Sequence, residues 1–102
     1  MEGYEREDIE NSQDWARLAE IALPRFSELQ RGESISRREI AQRLRELRQA
    51  GYSVRTEGSK DELWKELSEA KKYIRTQATQ YAPATLREIE RQNKLRLHRL
   101  RA

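Results

Sequence analysis

One histidine, His98, and no cysteine stand in the chain. An imidazole acts as a general base only with a nucleophile and an orienting partner at hydrogen-bond distance. Arg96, Leu97, Arg99 and Leu100 surround His98 and serve neither role. It reads as a solvated side chain on a basic face. The absence of cysteine excludes disulfides, thiolate zinc sites and a thiol nucleophile. Asp8, Asp14 and Asp61 fall in an arm or at helix starts, where a carboxylate complements the helix dipole. Glutamates recur at helical spacing from arginine, as in Glu39 and Arg43, the pattern of a solvated face. Gly58-Ser59-Lys60 is too short for a phosphate-cradling loop. These residues predict a non-enzymatic protein that uses no metal and no cofactor.

The chemistry that remains is ionic. Arg37, Arg38, Arg43, Arg45 and Arg48 crowd one stretch. Arg87, Arg91, Lys94, His98 and Arg101 follow at spacings of four, three, four and three, which is one stripe of a helix. Arg96 and Arg99 add to it. A guanidinium fork fits phosphate oxygens in pairs. A row of cations on a helix tracks a phosphate backbone and releases its counterions. The expected contacts are Arg37, Arg38, Arg45, Arg48, Lys60, Arg87, Arg91, Lys94, Arg96, Arg99 and Arg101. Charge segregates along the chain in the same sense. The net is −5 over residues 1–33, +3 over 34–58, +1 over 59–82 and +4 over 83–102. An anionic partner follows: nucleic acid, DNA before RNA, or an acidic protein.

The elements that must carry these charges are helices. The chain has 102 residues, 35% hydrophobic and 38% charged, so apolar material suffices for narrow stripes and a small core. The sequence predicts an all-α fold: a small bundle of about four helices with a helix–extended–helix centre and a long basic C-terminal helix. Residues 1–10, with five acids and no apolar periodicity, read as a disordered arm. Residues 11–82 read as a helical domain centred on 36–68, and 83–102 as the basic helix.

The first helix starts near Asn11 or Ser12. Its stripe is Trp15, Leu18, Ile21/Ala22, Phe26 and Leu29, and Gly32 ends the segment. Pro24 must kink this helix or open a second short one. The second helix carries an S-x-x-E box, Ser36 with Glu39, and a staple of Ile35 with Ile40. Its stripe is Ile40, Leu44 and Leu47. Gly51 then suits a left-handed ending with Tyr52 packing back on Leu47. Residues 52–58 read as extended, from the alternation of Tyr52, Val54 and Thr56. A second box, Ser59 with Glu62, opens a third helix on Leu63, Leu67, Ala70, Ile74 and Ala78, with Trp64, Tyr73 and Tyr81 widening the apolar face. A fourth helix starts with Pro83 at its first position or with Thr85 as cap. Leu86, Ile89, Leu97 and Leu100 share its apolar face, interrupted by Asn93. The expected core is Trp15, Leu18, Phe26, Ile40, Leu44, Leu47, Tyr52, Leu63, Trp64, Leu67 and Ile74.

Residues 37–67 resemble the SAP motif and related helix–extended–helix DNA-binding modules. The resemblance lies in a basic helix ending Gly51-Tyr52, a turn with Gly58-Ser59-Lys60, and a second helix opening Asp61-Glu62-Leu63-Trp64-Lys65-Glu66-Leu67. It implies a mini-core of Leu44, Leu47, Tyr52, Leu63, Trp64 and Leu67, with Lys60 and first-helix arginines toward phosphates. Glu66 stands where the family often carries Arg. Residues 36–54 also look like the recognition helix and first wing strand of winged-helix regulators, although the helix at Ser59 leaves no room for a second wing strand.

A second function class stays open: a helical interaction or assembly protein, a homodimer pairing acidic head with basic tail. The apolar face of the last helix needs a cover under that reading. No apolar run approaches a membrane span, and the acidic start is unlike a signal peptide, so the expectation is a cytoplasmic protein with no membrane partner.

Overall fold

A computed structural model of the chain describes residues 12–26 and 34–101, with side chains over 14–26 and 34–95. The arm expected over 1–10, and the end of the first stripe at Leu29 and Gly32, lie outside the described residues. So do the side chains of Arg96, Leu97, His98, Arg99, Leu100 and Arg101.

The described residues form four helices and no β-strand: α1 Ser12–Ala22, α2 Arg37–Gln49, α3 Lys60–Tyr81 and α4 Pro83–Arg101. The long α3 packs against each of the others. Helix α1 lies against α2, α3 and α4, whereas α2 and α4 do not touch. Among the described residues no helix is long and apolar enough to cross a membrane.

Trp15, Leu18, Ala19 and Ala22 recur at three- and four-residue spacing and are buried, so α1 presents one continuous stripe to the core. The helix stops before Pro24, where a ring without an N–H cannot continue the ladder. Leu23 still donates to the Ala19 carbonyl at 2.9 Å. The chain then turns, and Phe26 is buried after the helix has ended.

Helix α2 is delimited by its own sequence. The Ser36 hydroxyl accepts from the Glu39 N–H at 3.2 Å, and Ile35 and Ile40 both join the core. At the other end Tyr52 N–H donates to Leu47 O at 2.9 Å and Gly51 N–H to Arg48 O at 3.0 Å. These are the two bonds of a Schellman ending. Gly51 has φ 98°, a conformation that a Cβ disfavours. Residues 53–57 carry no regular structure, and Val54 is buried between the two helices' ends.

At the start of α3 the capping box is complete. Ser59 N–H donates to Glu62 Oε1 at 2.9 Å, and Glu62 N–H donates to the Ser59 hydroxyl at 3.2 Å. Leu63, Leu67, Ala70, Ile74 and Ala78 line its buried side. Ala82 ends α3 and precedes Pro83, which takes the first position of α4, so no loop separates the two helices. Thr85 is inside α4 and is not its cap.

Ten of the expected core residues are at most 1% exposed: Trp15, Leu18, Phe26, Ile40, Leu44, Leu47, Tyr52, Leu63, Leu67 and Ile74. The exception is Trp64, which is 41% exposed. It sits one residue past Leu63, about 100° around the helix from the buried line. Its ring leans on Phe26 with centroids 6.5 Å apart, flanking the core without entering it. Trp15 is the tryptophan inside, edge-on to Tyr73 at 5.9 Å.

Candidate functional site

The expected contact residues divide into those engaged within the chain and those that face solvent alone. On α2, Arg37 Nε donates to the Gly58 carbonyl at 2.7 Å. This bond holds the first turn of α2 beside the turn that opens α3. It is local and structural, and it takes Arg37 out of the free set. Arg38 and Lys60 are exposed near that junction and have no ion pair among the described residues. Glu39 and Asp61 occupy the same first turns, so this end is mixed in sign. Arg45 is exposed seven residues after Arg38, on the same face, and donates to Gln42 Oε1 at 2.8 Å. Arg48 is exposed one turn further on.

On α4, Arg87, Arg91 and Lys94 are exposed along one line, as their spacing requires. Arg91 is answered by its own helix. Its Nε donates to Glu88 Oε1 at 3.2 Å and its Nη2 to Glu88 Oε2 at 2.6 Å. Bonding to Arg91 and then Gln92 holds the Glu88 carboxyl below its ordinary range, and the same pairing raises Arg91. Arg87 and Lys94 have no ion pair among the described residues. The backbone of Arg96, Arg99 and Arg101 continues the helix, and their side chains lie outside the described set.

The two basic stretches are carried on helices that do not touch. On the α1 side, one groove gathers Glu20 with Glu88, and another sets Glu20 and Glu46 beside Arg17 and Arg43, so that side is mixed in sign. Leu86 and Ile89, which seemed to need an external cover, are buried within the chain.

Two polar residues that the sequence left unexplained close the end of α1. Asn93 Nδ2 donates to Leu23 O at 3.1 Å, while its Oδ1 accepts from Arg25 N–H at 3.0 Å. The side-chain amide thus pairs with the backbone like a strand neighbour and ties α4 to the turn after α1. Arg43 does not pair with Glu39. Its Nη1 donates to the carbonyls of Pro24 and Ala22, and its guanidinium lies 3.8 Å from the centroid of the Phe26 ring. A cation at the C-terminal carbonyls of a helix is favoured by the dipole.

The same fold brings together cations that spacing along the chain did not connect. The charges of Arg43 on α2, Arg75 on α3 and Arg25 in the turn all act on Lys71 of α3. The Lys71 amine is pushed below its ordinary value by burial, and further by the charges of Arg43, Arg75 and Arg25. Among the described residues no group of three or more His, Asp or Glu side chains assembles to hold a metal ion.

No protein-family model, curated protein or solved structure matches the chain.

Proposed function

We propose that this chain is a non-enzymatic nucleic-acid-binding protein, directed to DNA before RNA, that grips phosphates through exposed helix cations. The supporting observation is that Arg38 and Lys60 at one end, and Arg87 and Lys94 along α4, have no carboxylate partner among the described residues, in a chain rich in glutamate. Opposite charges three or four residues apart on a helix gain about 0.2–0.5 kcal/mol by pairing. Arg45 adds to the first surface, because its partner Gln42 is neutral. Arg37 and Arg91 are engaged internally and stand outside the proposed contact set. Arg48, Arg96, Arg99 and Arg101 extend it by position. The SAP-like resemblance of residues 37–67, with a basic helix before the Gly58-Ser59-Lys60 turn, supports DNA over RNA.

Phosphate contacts give affinity with little base discrimination, so binding is expected to be weakly sequence-dependent and strongly salt-dependent. The test is fluorescence anisotropy with a labelled mixed-sequence duplex and a single-stranded RNA. Arg38→Glu with Arg87→Glu should weaken duplex binding at least tenfold while leaving the fold intact. Equal binding by variant and parent refutes the proposal.

A second reading draws on different residues. Trp64 and Leu95 are 41% and 42% exposed, large apolar groups of the kind that anchor protein interfaces. A concentration-dependent mass in light scattering, abolished by Trp64→Ser, would favour a protein partner or a second copy instead.

A further inference from the structure

Trp64 is left exposed by the fold, yet three segments steady its ring. The indole stands on α3 and leans on Phe26 from the turn after α1, with centroids 6.5 Å apart and planes inclined at 43°. Phe26 is itself buried, and the Arg43 guanidinium of α2 lies 3.8 Å from its centroid. Arg43 in turn is anchored on the carbonyls of Pro24 and Ala22. The support beside the indole is thus packed and hydrogen-bonded, while the indole itself still meets solvent.

Helix α3 is divided by charge around this ring. At about 100° per residue, Lys60, Trp64, Ser68, Lys71 and Arg75 fall within one sector of about 80°. Lys60 stands one turn before the indole, about 6 Å along the axis, and Lys71 two turns after it, about 10 Å. The carboxylates Glu62, Glu66 and Glu69 lie on the opposite flank, where they line a cleft with Arg55 and Lys65. There Arg55 Nη1 donates to Glu62 Oε2 at 3.2 Å, and the Arg55 N–H to Glu66 Oε2 at 3.0 Å. Asp61 sits in the first turn, where the helix dipole favours a carboxylate. A flat aromatic face between cations on one strip suits a partner that alternates flat rings with negative charges. Single-stranded nucleic acid has that form: a base to stack, with a phosphate on either side.

We infer that Trp64 is a stacking platform for an unpaired nucleobase of single-stranded DNA, whose flanking phosphates run along Lys60 and Lys71. The inference rests on the nucleic-acid reading above and narrows it to a class of ligand. Paired bases are already stacked on one another and leave the indole unused, so duplex binding through the exposed cations does not need Trp64.

The experiment compares two labelled probes on the full chain by fluorescence anisotropy: a short oligothymidylate and an abasic oligodeoxynucleotide of equal length. Their phosphates are equal in number, so any difference in affinity reads the bases. Oligothymidylate should bind roughly tenfold tighter. An unlabelled copy should also quench tryptophan emission, through Trp64, because Trp15 is buried. Trp64→Ala should bring the two affinities together and leave the abasic one unchanged. Trp64→Phe should keep part of the difference, because a smaller ring still stacks. Lys60→Gln should weaken both probes alike. Circular dichroism confirms that each variant is folded. Equal binding of the two probes by the parent, or a difference that survives Trp64→Ala, overturns the inference alone. So does an equal loss for both probes in Trp64→Ala, the mark of a merely structural tryptophan. Self-association abolished by Trp64→Ser, with both affinities unchanged, assigns the indole to a protein contact and likewise overturns it. If neither probe nor duplex binds, the nucleic-acid reading falls, and the inference with it.

Discussion

Asn93→Leu is a substitution on which pattern and structure give opposite signs. By pattern, leucine completes the apolar face that Asn93 interrupts and should stabilise α4. In the structure Asn93 pairs with Leu23 O and Arg25 N–H at 3.1 and 3.0 Å. Leucine leaves both groups without a partner. An orphaned buried backbone group costs about 1–3 kcal/mol, and partial burial keeps each of these near the lower end. The leucine recovers at most about 1 kcal/mol, because the position is only half-buried. The net loss is therefore about 1–2 kcal/mol. For a domain of this size that lowers Tm by roughly 5–15 °C. Thermal unfolding by circular dichroism measures the shift, and hydrogen exchange should show lost protection at the Arg25 amide. An unchanged or raised Tm refutes the reasoning, because it would mean that the two hydrogen bonds contribute nothing beyond solvent.

Other consequences follow from single elements. Gly51→Ala forces a Cβ onto φ 98° and should cost about 1–2 kcal/mol in urea unfolding; no loss would deny the Schellman ending. Ser59→Ala removes half of the capping box at α3 and should cost about 1 kcal/mol. The Glu62 carboxyl is held below its ordinary range first by the Ser59 N–H, then by the Ser59 hydroxyl and Arg55. A depressed folded value means stability present above the ordinary carboxylate range and lost as pH falls through the lowered value. That acid-side slope should shrink in Glu62→Gln, read from unfolding at stepped pH. Acrylamide should quench Trp64 and spare Trp15, and Trp64→Phe should remove the quenchable component.

How legible was this molecule? Local signals carried far. The Ser59–Glu62 box and the Gly51–Tyr52 ending are decided within six residues, where backbone donors and acceptors meet nearby side chains, and sequence spacing was enough. The buried stripes of α2 and α3 follow from period alone. Trp64 was misjudged because an apolar type was taken as a core position, although it lies about 100° from the buried line. Asn93 and Arg43 looked like an interruption and a surface charge. Their partners, Leu23, Arg25 and Pro24, lie 19 to 70 residues away and are brought close only by the packing of α1. The arginine stripes were legible as stripes. Which of them are answered internally depended on side-chain geometry, and Arg37 and Arg91 were.

The most direct test of nucleic-acid binding is the salt dependence of duplex affinity, measured by anisotropy from low to moderate sodium chloride. Phosphate contacts by Arg38, Lys60, Arg87 and Lys94 alone predict a log–log slope of about −3 to −4, and contacts by the other cations of the set steepen it. Replacing Arg38 and Arg87 should flatten it by about 2. A flat salt profile, or a slope unchanged by those replacements, would contradict the account.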